Sequence, residues 1–415
     1  MTKKKHIITL TAIIVILVIS IALIWHYKCK TIKYGHKVVV CVPIYGQSLA
    51  LGEEAIRITS FDSLRIKHDG RIVNENLNYQ FGCYSDVKWK RYLKRFIQDH
   101  RRSFELSLYS MSEVLAQNMG QDTIICIFPG GMGETPIWKF VKINYIYPIF
   151  LSDIKNAYEE AKRRGWEFYI PAICWMQGES DIIDYEKDDY KQMLKIIRST
   201  IDKDVKAITH QDKDIHFVCS QPNVLTLADH FNQNNYNAIE TRVAQTIVDL
   251  IRNDTLFWAS GPTYPYHFVN DRLHIDALSQ QQIGRLEANA VLDIIRNGRK
   301  SYGLIPKSIS IEENDVIIQM NVPVPPLVID TITVKPIDHY GFSVITKENK
   351  NIIKDISIED NAIRLHCTQS PDNCKVRYAV NGEKGKSGFK HGPRGNLRDS
   401  DPVQHWCYQF DMLCN

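Results

Sequence analysis

Trp175-Met176-Gln177-Gly178-Glu179-Ser180-Asp181 is the stretch from which the fold is read. It follows residues 168–174 (FYIPAIC), a short apolar run with the character of a buried strand. The apolar character ends at Met176, and Gln177, Gly178, Glu179 and Ser180 follow at once. Such a segment delivers a polar loop to the carboxyl edge of a sheet. That edge is where open α/β sheets bind ligands.

Working outward, two other stretches have the same form. Residues 37–43 (KVVVCVP) lead into Gly46-Gln47-Ser48, and residues 123–128 (TIICIF) lead into Pro129-Gly130-Gly131-Met132-Gly133. Asp271-Arg272-Leu273-His274 stands just before a long helical pattern. The set resembles the SGNH hydrolases. Within them it is most similar to the sialate O-acetylesterases and acetylxylan-esterase-like carbohydrate esterases. Those carry G-Q-S at the nucleophile and W-x-Q-G-E-x-D where other SGNH enzymes place an asparagine. The resemblance implies a flavodoxin-like three-layer α/β/α domain with a five-stranded parallel sheet.

The rest of the chain is consistent with that expectation. Apolar strand-like runs at 37–43, 123–128, 167–176, 214–220 and 255–259 alternate with helical spacing at 103–119, 147–164, 190–201, 236–251 and 276–297. Alternating β and α segments predict a parallel sheet covered on both faces. Residues 51–100 have no clean period and are expected to pack over the sheet edge. After Gly298 the pattern changes to short β-rich runs between turn residues, which predicts a small β-sandwich. Its V-R-Y-A run (376–379) and the later Asn396-Leu397 also resemble the C-terminal β-domain of sialate O-acetylesterases. The expected domains are therefore an N-terminal segment at 1–30, an esterase domain at 36–300 and a β-rich domain at 305–415.

Composition limits the partners. The net charge is +4 over 415 residues, and no dense Lys/Arg stripe is present, which excludes nucleic acid as the main partner. Lys3-Lys4-Lys5 precede an apolar run at 7–25, close to the roughly 20 residues that span a bilayer. Basic residues stay in the cytoplasm, so an uncleaved anchor with the body outside is expected, or a secreted protein if the segment is removed. Of ten cysteines, Cys41, Cys126, Cys174 and Cys219 lie in apolar runs and read as core. Cys367, Cys374, Cys407 and Cys414 stand where small disulfides form outside the cytoplasm. No cysteine or histidine cluster has zinc spacing, and neither metal nor cofactor is implied.

The chemistry starts at Ser48. A serine hydroxyl is a weak nucleophile until a base takes its proton. That base must be an imidazole held in one tautomer by a carboxylate. Asp271 and His274, at i and i+3, can meet on one turn and make that pair, with His267 the rival base. Taken alone, Gly-Gln-Ser reads more readily as a turn with a serine helix cap, and the other motifs in order turn the reading to a nucleophile. The resemblance assigns three donors to the anion of the intermediate. These are the Ser48 N–H, a backbone N–H of Gly130-Gly131 (Gly131 favoured) and the Gln177 amide. Such donors are worth about 2.7–4 kcal/mol each.

Gln47, Gly130, Glu179 and Asp181 are expected in support, Glu179 bonding loop backbone near Ser48. Trp138 and Trp175 are aromatic candidates for substrate contact, with Trp175 also reading as core. Leu49 stands where the family has Asn, and Ile275 where it often has Pro. A glycosidase built on Glu179 and Asp181 is the weaker reading beside Ser48 and His274. The expected activity is removal of O-acetyl groups from carbohydrate through an acetyl-serine. A glycan-binding surface protein and an esterase of other esters are the alternatives.

Overall fold

A computed structural model describes residues 36–74, 104–182, 187–224, 232–296, 300 and 302–414. The expected anchor at 7–25 lies outside the described residues. Among the described residues no helix is long and apolar enough to cross a membrane.

The first five strands of the expected sheet are all present, three of them broken in two. The strands are β1 (Val38–Cys41), β2 (Ile44–Gly46), β3 (Ile72–Val73), β4 (Thr123–Cys126), β5 (Pro129–Gly131), β6 (Glu167–Tyr169), β7 (Ala172–Met176), β8 (His216–Gln221) and β9 (Phe257–Pro262). A proline stands at each break: Pro43 between β1 and β2, Pro129 at the start of β5, Pro171 between β6 and β7. Proline has no N–H to give to a ladder. Hydrogen bonds carry the sheet across the gaps, Val42 N–H to Cys126 (2.9 Å), Ile44 N–H to Phe128 (3.1 Å) and Cys174 N–H to Pro43 (3.0 Å).

The result is one parallel sheet in the spatial order β3, β4/β5, β1/β2, β6/β7, β8, β9. Its five long strands run 2-1-3-4-5 in chain order, the flavodoxin-like arrangement. The short edge strand β3 is a sixth that the sequence expectation missed. It lies in the 51–100 stretch, where two residues carry no readable period.

Helices cover both faces. Phe61 and Leu64 of α1 (Phe61–Lys67), Leu108, Met111 and Leu115 of α2 (Ser107–Asn118), and later Ile283 and Val291 of a sixth helix share one core. On the other face α3 (Ile146–Arg163), α4 (Lys187–Thr209) and α5 (Arg242–Asn253) bury Phe150, Ile154, Leu194, Ile201, Val243 and Ile247. The sixth helix, α6 (Ala277–Arg296), closes the domain.

The C-terminal part is antiparallel. β10 (Ile305–Glu312), β11 (Asp315–Asn321), β14 (Ile353–Glu359) and β15 (Ala362–Cys367) form a sheet in the order β10-β11-β15-β14. β13 (Phe342–Ile345), β16 (Lys375–Tyr378) and β18 (Phe410–Leu413) form a second, and β12 (Val328–Ile329) pairs with β17 (Leu397–Arg398). β10 and β11 form a hairpin that turns at Glu313, whose φ is +55°. The V-R-Y-A and Asn-Leu motifs meet here, since Leu397 donates its N–H to the Tyr378 hydroxyl (2.8 Å). Cys41, Cys126, Cys174 and Cys219 are buried free thiols, as read. Cys367, Cys374, Cys407 and Cys414 are buried free thiols too, so the disulfides considered for them are not formed. They serve as small apolar packing in the β-rich core.

The tightest packing is at the carboxyl edge. β2 sits between β5 and β7, with Gly46 in register with Gly131 on one side and Met176 on the other. A Cβ on Gly131, at φ +121°, would stand 1.7 Å from the Gly46 carbonyl oxygen. A Cβ on Gly46 would stand 1.9 Å from the Met176 carbonyl oxygen. Gly131→Ala is therefore expected to destabilise the fold by about 3 kcal/mol, through overpacking and backbone strain together. Urea unfolding beside wild type measures it, and an unchanged midpoint would contradict the packing described.

Candidate active site

Three adjacent parallel strands deliver the expected loops to one place. Gly46, Gly131 and Met176 are in register, so Gln47-Ser48, Met132 and Gln177 emerge side by side. Ser48 opens a short 3-10 turn, Ser48–Leu51, and is 5% exposed. As its first residue it has no acceptor for its own N–H inside the turn. Gln47 fastens this turn to the next loop. Its N–H donates to Met176 (3.0 Å), and its Oε1 accepts from Gly178 (3.2 Å) and Ser180 (3.4 Å). Leu49 is buried in the core, and its carbonyl accepts from Gln280 Nε2 (2.9 Å).

Gln177 is 1% exposed and heavily bonded. Its Nε2 donates to the Thr135 carbonyl (3.0 Å) and to the Asp181 carboxylate. Its Oε1 lies 2.9 Å from the Tyr190 hydroxyl, which is also 3.0 Å from the Gln177 carbonyl. A carboxylate beside Nε2 fixes the amide orientation, because the reverse would face oxygen against oxygen. Both amide hydrogens are thus spent within the protein. To donate to a substrate oxyanion, Gln177 must release one of them.

Asp181 is fully buried and works as a clip. It accepts from Gln177 and, with both oxygens, from the Ile137 N–H (3.1 and 2.9 Å). That holds the 3-10 turn Ile137–Phe140, and with it Trp138, against the Gln177 loop. Trp138 is 43% exposed. Trp175 is fully buried among Tyr45, Phe140 and Phe217, so it is core and not a substrate contact. Glu179 does not bond the loop backbone with its Oε2, which is enclosed without a partner. Gln47 bonds the backbone of this loop at Gly178 and Ser180. Burial, reinforced by Asp181, pushes the Glu179 carboxyl up to about 7, against a lowering by its own backbone N–H.

His274 lies against the turn that follows Ser48. Its Nδ1 is 3.1 Å from Glu54 Oε2, and its Nε2 is 3.9 Å from Glu53 Oε2. Glu53 donates its N–H to the Ser48 carbonyl (3.1 Å), so His274 and Ser48 lie against the same turn of chain. The structure does not pair His274 with Asp271. Asn270 and Asp271 both take left-handed backbone (φ +55° and +54°), so the i, i+3 spacing is not that of a helical turn. The Asp271 carboxylate faces Lys386 Nζ at 3.9 Å, and its carbonyl accepts from Ser387 (2.8 Å). His267 is exposed and paired with Asp276 (3.1 Å). Sequence reading missed Glu53, Glu54 and Tyr190. The available signal for the first two was a pair of acids directly after the glycine that ends the Ser48 turn.

Residues 98–293 match the family described as carbohydrate esterase, sialic acid-specific acetylesterase. The match spans Gly130-Gly131, the 175–181 motif and His274, and begins after Ser48. A carbohydrate acetylesterase from Xanthomonas citri is similar in structure, with a TM-score of 0.57 and 12% identity. The likeness covers 90% of this chain and 80% of that one. It shows a shared fold, and the uncovered tenth is smaller than the C-terminal β-rich part. A protein from Arabidopsis thaliana has a TM-score of 0.43 at 14% identity, covering 62% of this chain and 99% of its own. NanS has a TM-score of 0.42 at 13% identity, covering 63% and 99%. No curated protein matches the sequence.

The raised Glu179 pKa has a consequence for stability. The folded state binds this proton more tightly than the unfolded chain, so the group weakens the fold as pH rises from about 4.5 to about 7. Glu179→Gln removes that cost. The variant is expected to be more stable than wild type above pH 7, by about 1–3 kcal/mol, with the gain vanishing toward pH 4.5. Thermal melts of both proteins across that range measure it.

Proposed function

We propose that this chain, whose residues 98–293 carry a carbohydrate esterase domain of the sialic acid-specific acetylesterase family, is a serine esterase that removes O-acetyl groups from carbohydrate. The observation that carries the mechanism is the register of three strand ends. It sets Ser48, the Gly130-Gly131 loop and Gln177 side by side, with His274 over the turn after Ser48.

His274 takes the Ser48 proton as the hydroxyl oxygen attacks the acetyl carbonyl. The carbonyl oxygen becomes an anion held by the Ser48 N–H, the Gly131 N–H and Gln177, once the amide gives up an internal bond. The sugar hydroxyl leaves with the proton from His274. Water then attacks the acetyl-serine, His274 takes its proton, and acetate departs as Ser48 recovers its own. No hydrogen bond joins the Ser48 and His274 side chains among the described residues. Such bonds tighten when substrate binds.

The exposed Trp138 ring, held in place through Asp181, offers a flat apolar face to a sugar. We place the domain outside the cytoplasm, tethered by the apolar run at 7–25. The basic cluster at Lys3-Lys4-Lys5 supports that orientation.

Acetate release from 4-nitrophenyl acetate, acetylated xylan and an O-acetylated sialic acid tests the reading. Ser48→Ala is expected to lower turnover by at least about 10⁴-fold. Its melting temperature should stay within about 2 °C of wild type, since little packing is lost. Equal turnover by the two proteins would reject Ser48 as nucleophile. Serine-dependent release from one polymer or sugar would identify the substrate class.

A further inference from the structure

We infer that Glu54, and not Asp271, is the positioning carboxylate that holds the His274 imidazole for its work on Ser48. The inference rests on the Ser48–His274 reading above and assigns its third member.

Among the described residues, Glu54 and Glu53 are the charged groups paired with the ring. Glu54 Oε2 stands 3.1 Å from Nδ1, within hydrogen-bond reach, whereas Glu53 Oε2 is 3.9 Å from Nε2 and outside it. A neutral imidazole that gives its Nδ1 hydrogen to a carboxylate keeps its lone pair on Nε2. That is the tautomer a base for serine requires. The 3.9 Å gap at Nε2 leaves that nitrogen uncommitted to Glu53.

The backbone that carries Glu54 is fixed. Gly52 closes the Ser48 turn at φ +68°, and Glu54 itself is held at φ +65°, a conformation that non-glycine residues seldom adopt. Ala55 is fully buried, donates to the Gly52 carbonyl (3.0 Å) and accepts from Glu105 N–H (2.8 Å). A strained residue kept between pinned neighbours is characteristic of functional sites. Nucleophile and orienting carboxylate then belong to one rigid turn, six residues apart. Asp271 has another task. Its carboxylate answers Lys386 and its carbonyl answers Ser387, so it ties the histidine loop to the C-terminal domain.

Glu54 is about half exposed, at 54%. Water screens it, and its loss should cost less than that of a buried triad acid. Glu54→Gln is expected to lower kcat on 4-nitrophenyl acetate about 30-fold with KM within twofold, and Asp271→Asn to lower it at least about tenfold less. The second readout does not need turnover. The downfield N–H proton resonance of His274 should be present in wild type, Ser48→Ala and Asp271→Asn, and lost in Glu54→Gln. Loss in Asp271→Asn with retention in Glu54→Gln would overturn the assignment, as would a larger kcat loss for Asp271→Asn. Ser48-independent turnover would reject the Ser48–His274 reading, and the resonance would still decide which carboxylate holds the ring.

Discussion

Everything at the candidate site depends on three backbones meeting with no room between them. Gly46 lies against Gly131 on one side and the Met176 carbonyl on the other, at distances that exclude even a methyl group. Parallel pairing in register converts that closeness into chemistry, since whatever follows each strand end must emerge beside its neighbours. Ser48, the glycine loop and Gln177 are up to 129 residues apart in sequence. The sheet makes them adjacent. The polar connections then stiffen the arrangement. Gln47 binds the serine turn to the Gln177 loop, and Asp181 binds that loop to the segment that carries Trp138.

The C-terminal β-rich part is joined to the esterase domain by buried polar contacts. Gln221 at the end of β8 donates through Nε2 to the Gln409 carbonyl (2.8 Å), and its Oε1 accepts the Gln409 N–H (2.8 Å). Arg377 is fully buried, and Asp411 takes its Nε (3.0 Å), while the Gln233 and Tyr236 carbonyls take the remaining nitrogens. Such a buried charge is tolerated because a carboxylate pairs with it and each of its three nitrogens has an acceptor. The same part reaches the histidine loop through Ser387 and Lys386. It therefore holds the loop that carries His274 from behind, a connection that composition alone does not suggest for a small appended β domain.

Much of this was legible beforehand. The five long strands, the five helices other than the short α1, and the change to β structure after Gly298 follow from hydrophobic spacing and turn residues. What escaped was local in the irregular 51–100 stretch, where β3 and α1 have too few residues for a period to emerge. Also hidden were the partners of individual side chains, because these lie far away in sequence. Trp175 is an instance. Its motif allowed both core and substrate contact, with core the stronger reading, and only the aromatic partners Tyr45, Phe140 and Phe217 show which core it joins.

The sequence by itself determined the elements and the candidates: Ser48 after the first strand, Gln177 after the strand that ends at Met176, and His274 before the last helix of the domain. Apolar periodicity is a local property, so it can be read without coordinates. Only the tertiary structure decided what each candidate bonds. Gln177 spends both amide hydrogens on Thr135 and Asp181, and His274 turns its Nδ1 toward Glu54 while Asp271 faces Lys386. The reason is geometric. Hydrogen bonds are short and directional, and two consecutive left-handed residues are enough to carry Asp271 out of reach of the histidine three positions on.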